Sequence, residues 1–274
     1  MTSTLGPYVA LDHRFTVSVD AGPLRCHLEQ VLLPLVLPAG HERSSTAHYD
    51  LRVTERPLRL CRDGHVLHTG GDATLVTAWL LYDVNQQALR TTGGTIVHAA
   101  VASPDDIGAW LLPAASEQGK STLVAGLVRA GWTYLSDEYA AFTSDGLVRP
   151  YPRAIALDPG SWTVLHPGPP APPAAVEPFW PAQRHLVAPR RADRPLPVVA
   201  IVAHGYRPGA RTELRAATEM EALRTLLSCS FTLDRRAQAD LTLLARVAEQ
   251  ANSWQLDVGD LGRACELLTS NALP

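Results

Sequence analysis

Gly119-Lys120-Ser121-Thr122 follows the apolar run Ala109-Trp110-Leu111-Leu112 after one short loop. That order of strand, tight turn and helix start predicts an α/β core. The unpaired N–H groups of the helix N-terminus would then face the loop and make an anion site. Against the pattern GxxxxGK[ST], Ala114 stands where the first Gly belongs, while Gly119, Lys120 and Ser121 are intact. Alanine serves there provided the position needs no positive φ. Glu117 adds a negative charge that is compatible with phosphate only if it faces solvent. The candidate nucleotide cradle is therefore Ala114, Ala115, Ser116, Glu117, Gln118, Gly119, Lys120, Ser121 and Thr122. Lys120 would reach the β and γ phosphates, Ser121 would offer its hydroxyl to Mg²⁺, and Thr122 would lie near the α phosphate. A chance match at an ordinary helix start is the competing reading.

The chain divides around this motif. Residues 1–92 hold short β-type runs such as Phe15–Val19 and Tyr49–Val53, broken by Gly, Pro and Asp. One amphipathic stretch follows, with Asp72 as N-cap and Leu75, Val76, Trp79, Leu80 and Val84 at helical spacing. They predict a small β-rich lobe with one closing helix. Asp63-Gly64 reads as a hairpin turn, which makes the HxxH pair His65 and His68 solvated hairpin residues rather than metal ligands.

From Gly93 to the end, residues 93–274, strands and helices alternate: strands at 95–102 and 108–112, a helix at 120–130 capped by Gly131, and a strand at 132–135. Seven prolines over 167–181 predict an irregular exposed loop. A buried strand at 198–203, a helix announced by the capping box Thr218 and Glu221, and helices at 234–251 and 260–268 complete the pattern.

Charge narrows the partners. A formal net charge of -3 offers no footprint for polyanions, so nucleic acid is not the expected partner. The apolar stretch Val31–Leu37 is broken by Pro34 and falls short of the roughly 20 residues of a membrane span. No signal-peptide pattern precedes it. Four cysteines without CxxC spacing fit thiols in a reducing cytoplasm.

Further segments carry a family resemblance that spans about residues 72–270. Ala130–Ala141, with Asp137-Glu138 at a strand end, resembles the segment after the P-loop in HPr kinase/phosphorylase and its relatives. Gly94–Val101 is similar to that family's strand carrying a histidine, here His98. Tyr151–Ser161, Tyr206–Ala210 and Thr218–Leu223 look like shorter relatives associated with modified-peptide biosynthesis.

The resemblance implies a P-loop kinase core of the HPr kinase and phosphoenolpyruvate carboxykinase type, with ATP and Mg²⁺ as cofactors. It implies Asp137 as general base, Glu138 beside Ser121 as metal ligand, and His98 as a polar neighbour of the γ-phosphate. Glu138 stands where many relatives carry Asp, and no counterpart of the HPr-engaging glycine-rich segment is present. The expected acceptor is thus a hydroxyl, serine above all, on a peptide, protein or small molecule. True HPr kinases are oligomers, so the resemblance also implies a homo-oligomer.

Each of these residues has a plainer reading. His98 on an apolar strand serves equally as a core histidine, and Asp137 with Glu138 as the cap of a turn. Arg153 and the cluster Arg184, Arg190, Arg191 and Arg194 form either a solvated surface or a source of arginine for a phosphate or anionic substrate. A nucleotide-binding regulator or scaffold without turnover is the alternative to the kinase.

Overall fold

A computed structural model describes residues 3–20, 22–37, 47–166, 175–180 and 183–270. The chain is mixed α/β, with several sheets and, among the described residues, seven α-helices. It forms two compact units, Met1–Gly93 with Ala175–Val187, and Gly94–Ala174 with Ala188–Pro274. No helix among the described residues is long and apolar enough to cross a membrane.

The first unit holds a five-stranded sheet in sequential order: β1 (Ser3–Ala10), β2 (His13–Val19), β3 (Ala47–Arg52), β4 (Arg59–Arg62) and β5 (His65–Thr69). β2 and β3 run parallel, and parallel neighbours need a crossover. Helix α1 (Gly22–Leu32) lies in that connection, a helix that the sequence reading did not place. Its buried residues Leu24, Leu28, Val31 and Leu32 keep helical spacing, but Gly22, Pro23 and Pro34 disguise it as turn sequence.

Helix α2 (Ala73–Thr91) begins at the Asp72 cap, whose side chain accepts from the Leu75 amide. Its Asp83 accepts from Tyr49 Oη at 2.7 Å and from Arg62 Nη1 at 2.6 Å, tying the helix to β3 and β4. The β4–β5 hairpin turns at Asp63-Gly64, both at positive φ, as a type I′ turn requires.

The proline-rich stretch differs from expectation in part. Residues 167–174, 181 and 182 lie outside the described residues, but Ala175–Trp180 forms strand β12, antiparallel to β13 (Gln183–Leu186). Pro178 is accommodated because the register shifts between Val176 and Trp180, where a missing N–H is tolerated.

The second unit is built on the path β10-β9-β6-β7-β14-β16-β15. Its strands are β6 (Ile96–Ser103), β7 (Ala109–Pro113), β8 (Thr133–Ser136), β9 (Tyr139–Phe142), β10 (Leu147–Arg149), β14 (Leu196–Tyr206), β15 (Glu213–Ala216) and β16 (Asn252–Val258). β7, β14 and β16 are parallel, and β10 pairs with both β9 and β14, closing that end of the sheet on itself. Three-residue β11 (Ile155–Leu157) leads into helix α4 (Pro159–Leu165).

Nearly all of β6 is buried, and its alternate residues Val97, Ala99 and Val101 join a core with Ala222 and Leu226 of α5 (Glu219–Ser228) and Leu244 and Val247 of α6 (Leu233–Gln250). Helix α3 (Lys120–Arg129) packs on β6 and on α7 (Leu261–Thr269). The capping box at Thr218 and Glu221 is formed, and Asp260 caps α7. Strand β16, between the last two helices, was not expected, although Trp254, Leu256 and Val258 alternate with Ser253, Gln255 and Asp257 as a half-buried strand does.

Candidate active site

The loop Ala114–Gly119 joins β7 to α3 and meets the conditions its sequence raised. Ala114 is buried, and the described non-glycine residues at positive φ are Leu11, Asp63, Asp106 and Glu117, so alanine suits that place. Glu117 takes the left-handed conformation at φ 64° with an exposed side chain. Gly119, at φ 84°, is the N-cap of α3 and supplies no side-chain cap, which leaves the first-turn amides for an external acceptor. Lys120 Nζ donates to the carbonyls of Ala114 at 3.0 Å and Ala115 at 2.7 Å, so its ammonium lies within the loop's own curve. Burial pushes the Lys120 pKa down, against the pull of Glu138 and Asp137.

Asp137 and Glu138 come to this loop because β8 and β9 both run along β6. β8 pairs beside Val101–Ser103 and β9 beside Ile96–His98, and the two acidic residues fill the interruption between them. The buried Ser136 hydroxyl accepts from the amides of Glu138 and Tyr139, which fixes the bend. Ser121 Oγ then donates to Asp137 Oδ2 at 3.1 Å, so strand end and helix start meet directly. Tyr134 Oη donates to Asp137 Oδ1 at 2.9 Å.

Arg153 completes the cluster. The Tyr151 amide bonds to the Leu135 carbonyl, and the Tyr151 ring stacks on Tyr139, which brings the next residues over the acidic pair. Arg153 Nε and Nη2 then donate to the two oxygens of Asp137 at 2.9 and 3.1 Å, and Nη2 also to Glu138 Oε2 at 2.9 Å. Burial works against the guanidinium charge, but the two carboxylates outweigh it and its pKa is raised. For Glu138, burial pushes the pKa up, Arg153 pulls it down, Asp137 adds repulsion, and the net direction is up.

His98 Nε2 lies 3.5 Å from Glu138 Oε1, and its ring packs on Phe231. Burial, then the Lys120 charge, lower its pKa to about 4, so near neutral pH it is an uncharged imidazole. Thr122 Oγ1 and Ser161 Oγ are 2.7 Å apart, linking α3 to α4 on the far side of the helix start.

The structure thus gathers His98, Lys120, Ser121, Glu138, Asp137 and Arg153, six residues expected from sequence, in one unit. Arg184 belongs to the other unit. Arg190 and Arg194 bond instead to Asp106, through its carboxylate and its carbonyl respectively, and Arg191 bonds to the Ala188 carbonyl. Tyr134 and Ser136 were missed, since a buried strand residue carries no outward sign of such a bond.

Asp240 was missed as well. Fully buried, it accepts from Thr95 and Thr232 and anchors Ser230, and so holds the α5–α6 connection against β6. Among the described residues no group of three or more His, Cys, Asp or Glu is arranged to hold a metal ion. A Mg²⁺ bound here would therefore rest on one or two protein oxygens, with phosphate and water completing its shell, as is usual for that ion. Compared with models of known protein families and with curated proteins, the chain matches none.

Proposed function

We propose that the second unit is an ATP- and Mg²⁺-dependent phosphotransferase of the HPr kinase-like kind, with a P-loop kinase core, acting on a hydroxyl acceptor in a peptide, protein or small molecule. The observation that carries this reading is the Ser121–Asp137 hydrogen bond, which sets an acidic strand end against the hydroxyl of the Gly119-Lys120-Ser121 helix start. Ser121 with a strand-end carboxylate is a donor set suited to Mg²⁺ beside a polyphosphate. Bound there, MgATP supplies the transferable phosphoryl group. Lys120 and the first-turn amides of α3 hold and neutralise its phosphates, and the buried setting strengthens that interaction.

The hydrogen bonding favours a division of labour opposite to the one the resemblance implies. Asp137, bonded to Ser121, stands on the metal side. Glu138 is more exposed, has a raised pKa and has neutral His98 beside it, which suits the group that takes the acceptor's proton. Glu138→Gln is expected to keep MgATP binding by calorimetry and to lose phosphate transfer by about a hundredfold or more. Asp137→Asn is expected to lose the magnesium dependence of nucleotide binding. The reverse pair of results would return the base to Asp137.

The ion pairs of Arg153 with both carboxylates favour a second reading, a nucleotide-binding regulator without turnover. Transfer from γ-labelled ATP beyond one phosphate per chain excludes it.

A further inference from the structure

The three parallel strands of the second unit, β7, β14 and β16, end along one edge of its sheet. In open α/β sheets ligands bind outside that carboxyl edge. The loop Ala114–Gly119 leaves the edge at the end of β7, and its two flanks differ in kind. On one flank stands β6 with β8 and β9 paired to it, so Asp137 and Glu138 lie there. On the other stands β14. Leu111 pairs with Ile201, which puts Pro113 level with Ala203 and carries His204, Gly205 and Tyr206 on beside the loop.

Tyr206 closes this second flank. A Cβ built on Gly119 would lie 3.5 Å from Tyr206 Cβ, and one built on Gly205 would lie 3.4 Å from Gln118 Oε1. The end of β14 is therefore set against the loop at Gln118 and Gly119. The Tyr206 side chain is nonetheless 48% exposed, and among the described residues it has no ring contact and no hydrogen bond. Its backbone is fixed, since Tyr206 pairs with Val258 and the Arg207 amide donates to the Val258 carbonyl at 2.9 Å. A lone exposed tyrosine is ordinary on a protein surface. This one is set apart by its place, an open aromatic face on a rigid strand end beside the N-terminus of α3.

We propose that Tyr206 is the platform on which the base of a nucleoside triphosphate stacks. The proposal rests on the phosphotransferase reading, which puts Mg²⁺ and the γ-phosphate on the Asp137 flank beside Ser121. A triphosphate laid across the α3 amides from that flank carries its nucleoside toward the opposite one, where Tyr206 stands. Stacking asks of the ligand only a π-face, which every base has. The ring thus adds affinity for a nucleotide over a bare polyphosphate.

The test is calorimetric titration of the full chain and its variants with MgATP and with magnesium tripolyphosphate, which has the phosphates but no base. The unaltered chain should bind MgATP about tenfold or more tighter than the tripolyphosphate. Tyr206→Ala should remove that advantage and leave the tripolyphosphate affinity within about twofold, so the second ligand also reports that loop and fold are intact. Tyr206→Phe, which keeps the ring, should keep the advantage.

Equal binding of the two ligands by the unaltered chain overturns the proposal, as does a Tyr206→Ala variant that still prefers MgATP. Equal loss of both ligands in Tyr206→Ala overturns it too, because the ring then supports the loop and not a base. Loss of the advantage in Tyr206→Phe would assign the effect to the hydroxyl and overturn stacking. In these four outcomes the unaltered chain still binds polyphosphate, and the phosphotransferase reading stands. Failure of the unaltered chain to bind either ligand sinks that reading and this proposal with it.

Discussion

Arg153 shows how much of the site depends on one cation. Its guanidinium satisfies Asp137, whose side chain is fully buried, and Glu138 together. Removing one partner of such a cluster strands charge in a poorly solvated place, which costs about 3–5 kcal/mol. Arg153→Gln is therefore expected to lower urea-unfolding stability by that order, and a surface arginine such as Arg263 replaced likewise should change it by less than about 0.5 kcal/mol. Equal effects at the two positions would remove Arg153 from this role. The residue itself was raised from the sequence, but as solvated surface or as a source of arginine for an anion and not as the partner of Asp137 and Glu138. Its contacts were not, because they depend on a main-chain bond from Tyr151 to Leu135 that no local pattern encodes.

Helix α3 carries the loop and must be held at a fixed depth. Gly126 lets it approach α7: a Cβ there would lie 2.7 Å from Cys265 Sγ and 3.2 Å from Leu261 Cδ1. Alanine is the better helix former by about 1 kcal/mol, yet overpacking costs about 1–3 kcal/mol. Gly126→Ala should thus be neutral to destabilising by up to about 2 kcal/mol in denaturant unfolding. Adding Cys265→Ala should recover the loss by relieving the contact, and an additive double mutant would refute the packing account. Elements with strong caps or periodicity, α2, α3 and β6, were readable in sequence nearly to their ends, and α5 at its capped start. Others were not: α1 is flanked by glycine and proline, and β12 runs through Pro178, whereas β16 does alternate, with Trp254, Leu256 and Val258 at every second position, and was legible in principle.

At the scale of the whole molecule, both units share a vulnerability to acid. His13 in the first unit, and His98 and His204 in the second, each have a pKa lowered from 6.5 to about 4, chiefly by burial. The unfolded chain takes up these protons near 6.5 while the folded chain refuses them until about 4. Stability is thus complete above the unfolded value and is lost as pH falls through that window. The upper limit is about 3 kcal/mol per histidine. Glu138, with its pKa raised, contributes the opposite slope in the carboxylate range and offsets part of the loss at the acid end. Urea unfolding from neutral pH down to about 4 should show falling midpoints for both units, and flat midpoints would mean that these imidazoles reach water.

The return of the chain to its first unit at Ala175–Val187 bears on how the protein is made. A ribosome releases residues in order, so the amino-terminal lobe waits for its β12–β13 hairpin until β6, β7, α3 and the acidic strand end have already emerged. The loop Ala114–Gly119 and its partner carboxylates can meet while that lobe is still unfinished, and cutting the gene after Gly93 yields a lobe that lacks the β12–β13 hairpin of its own unit.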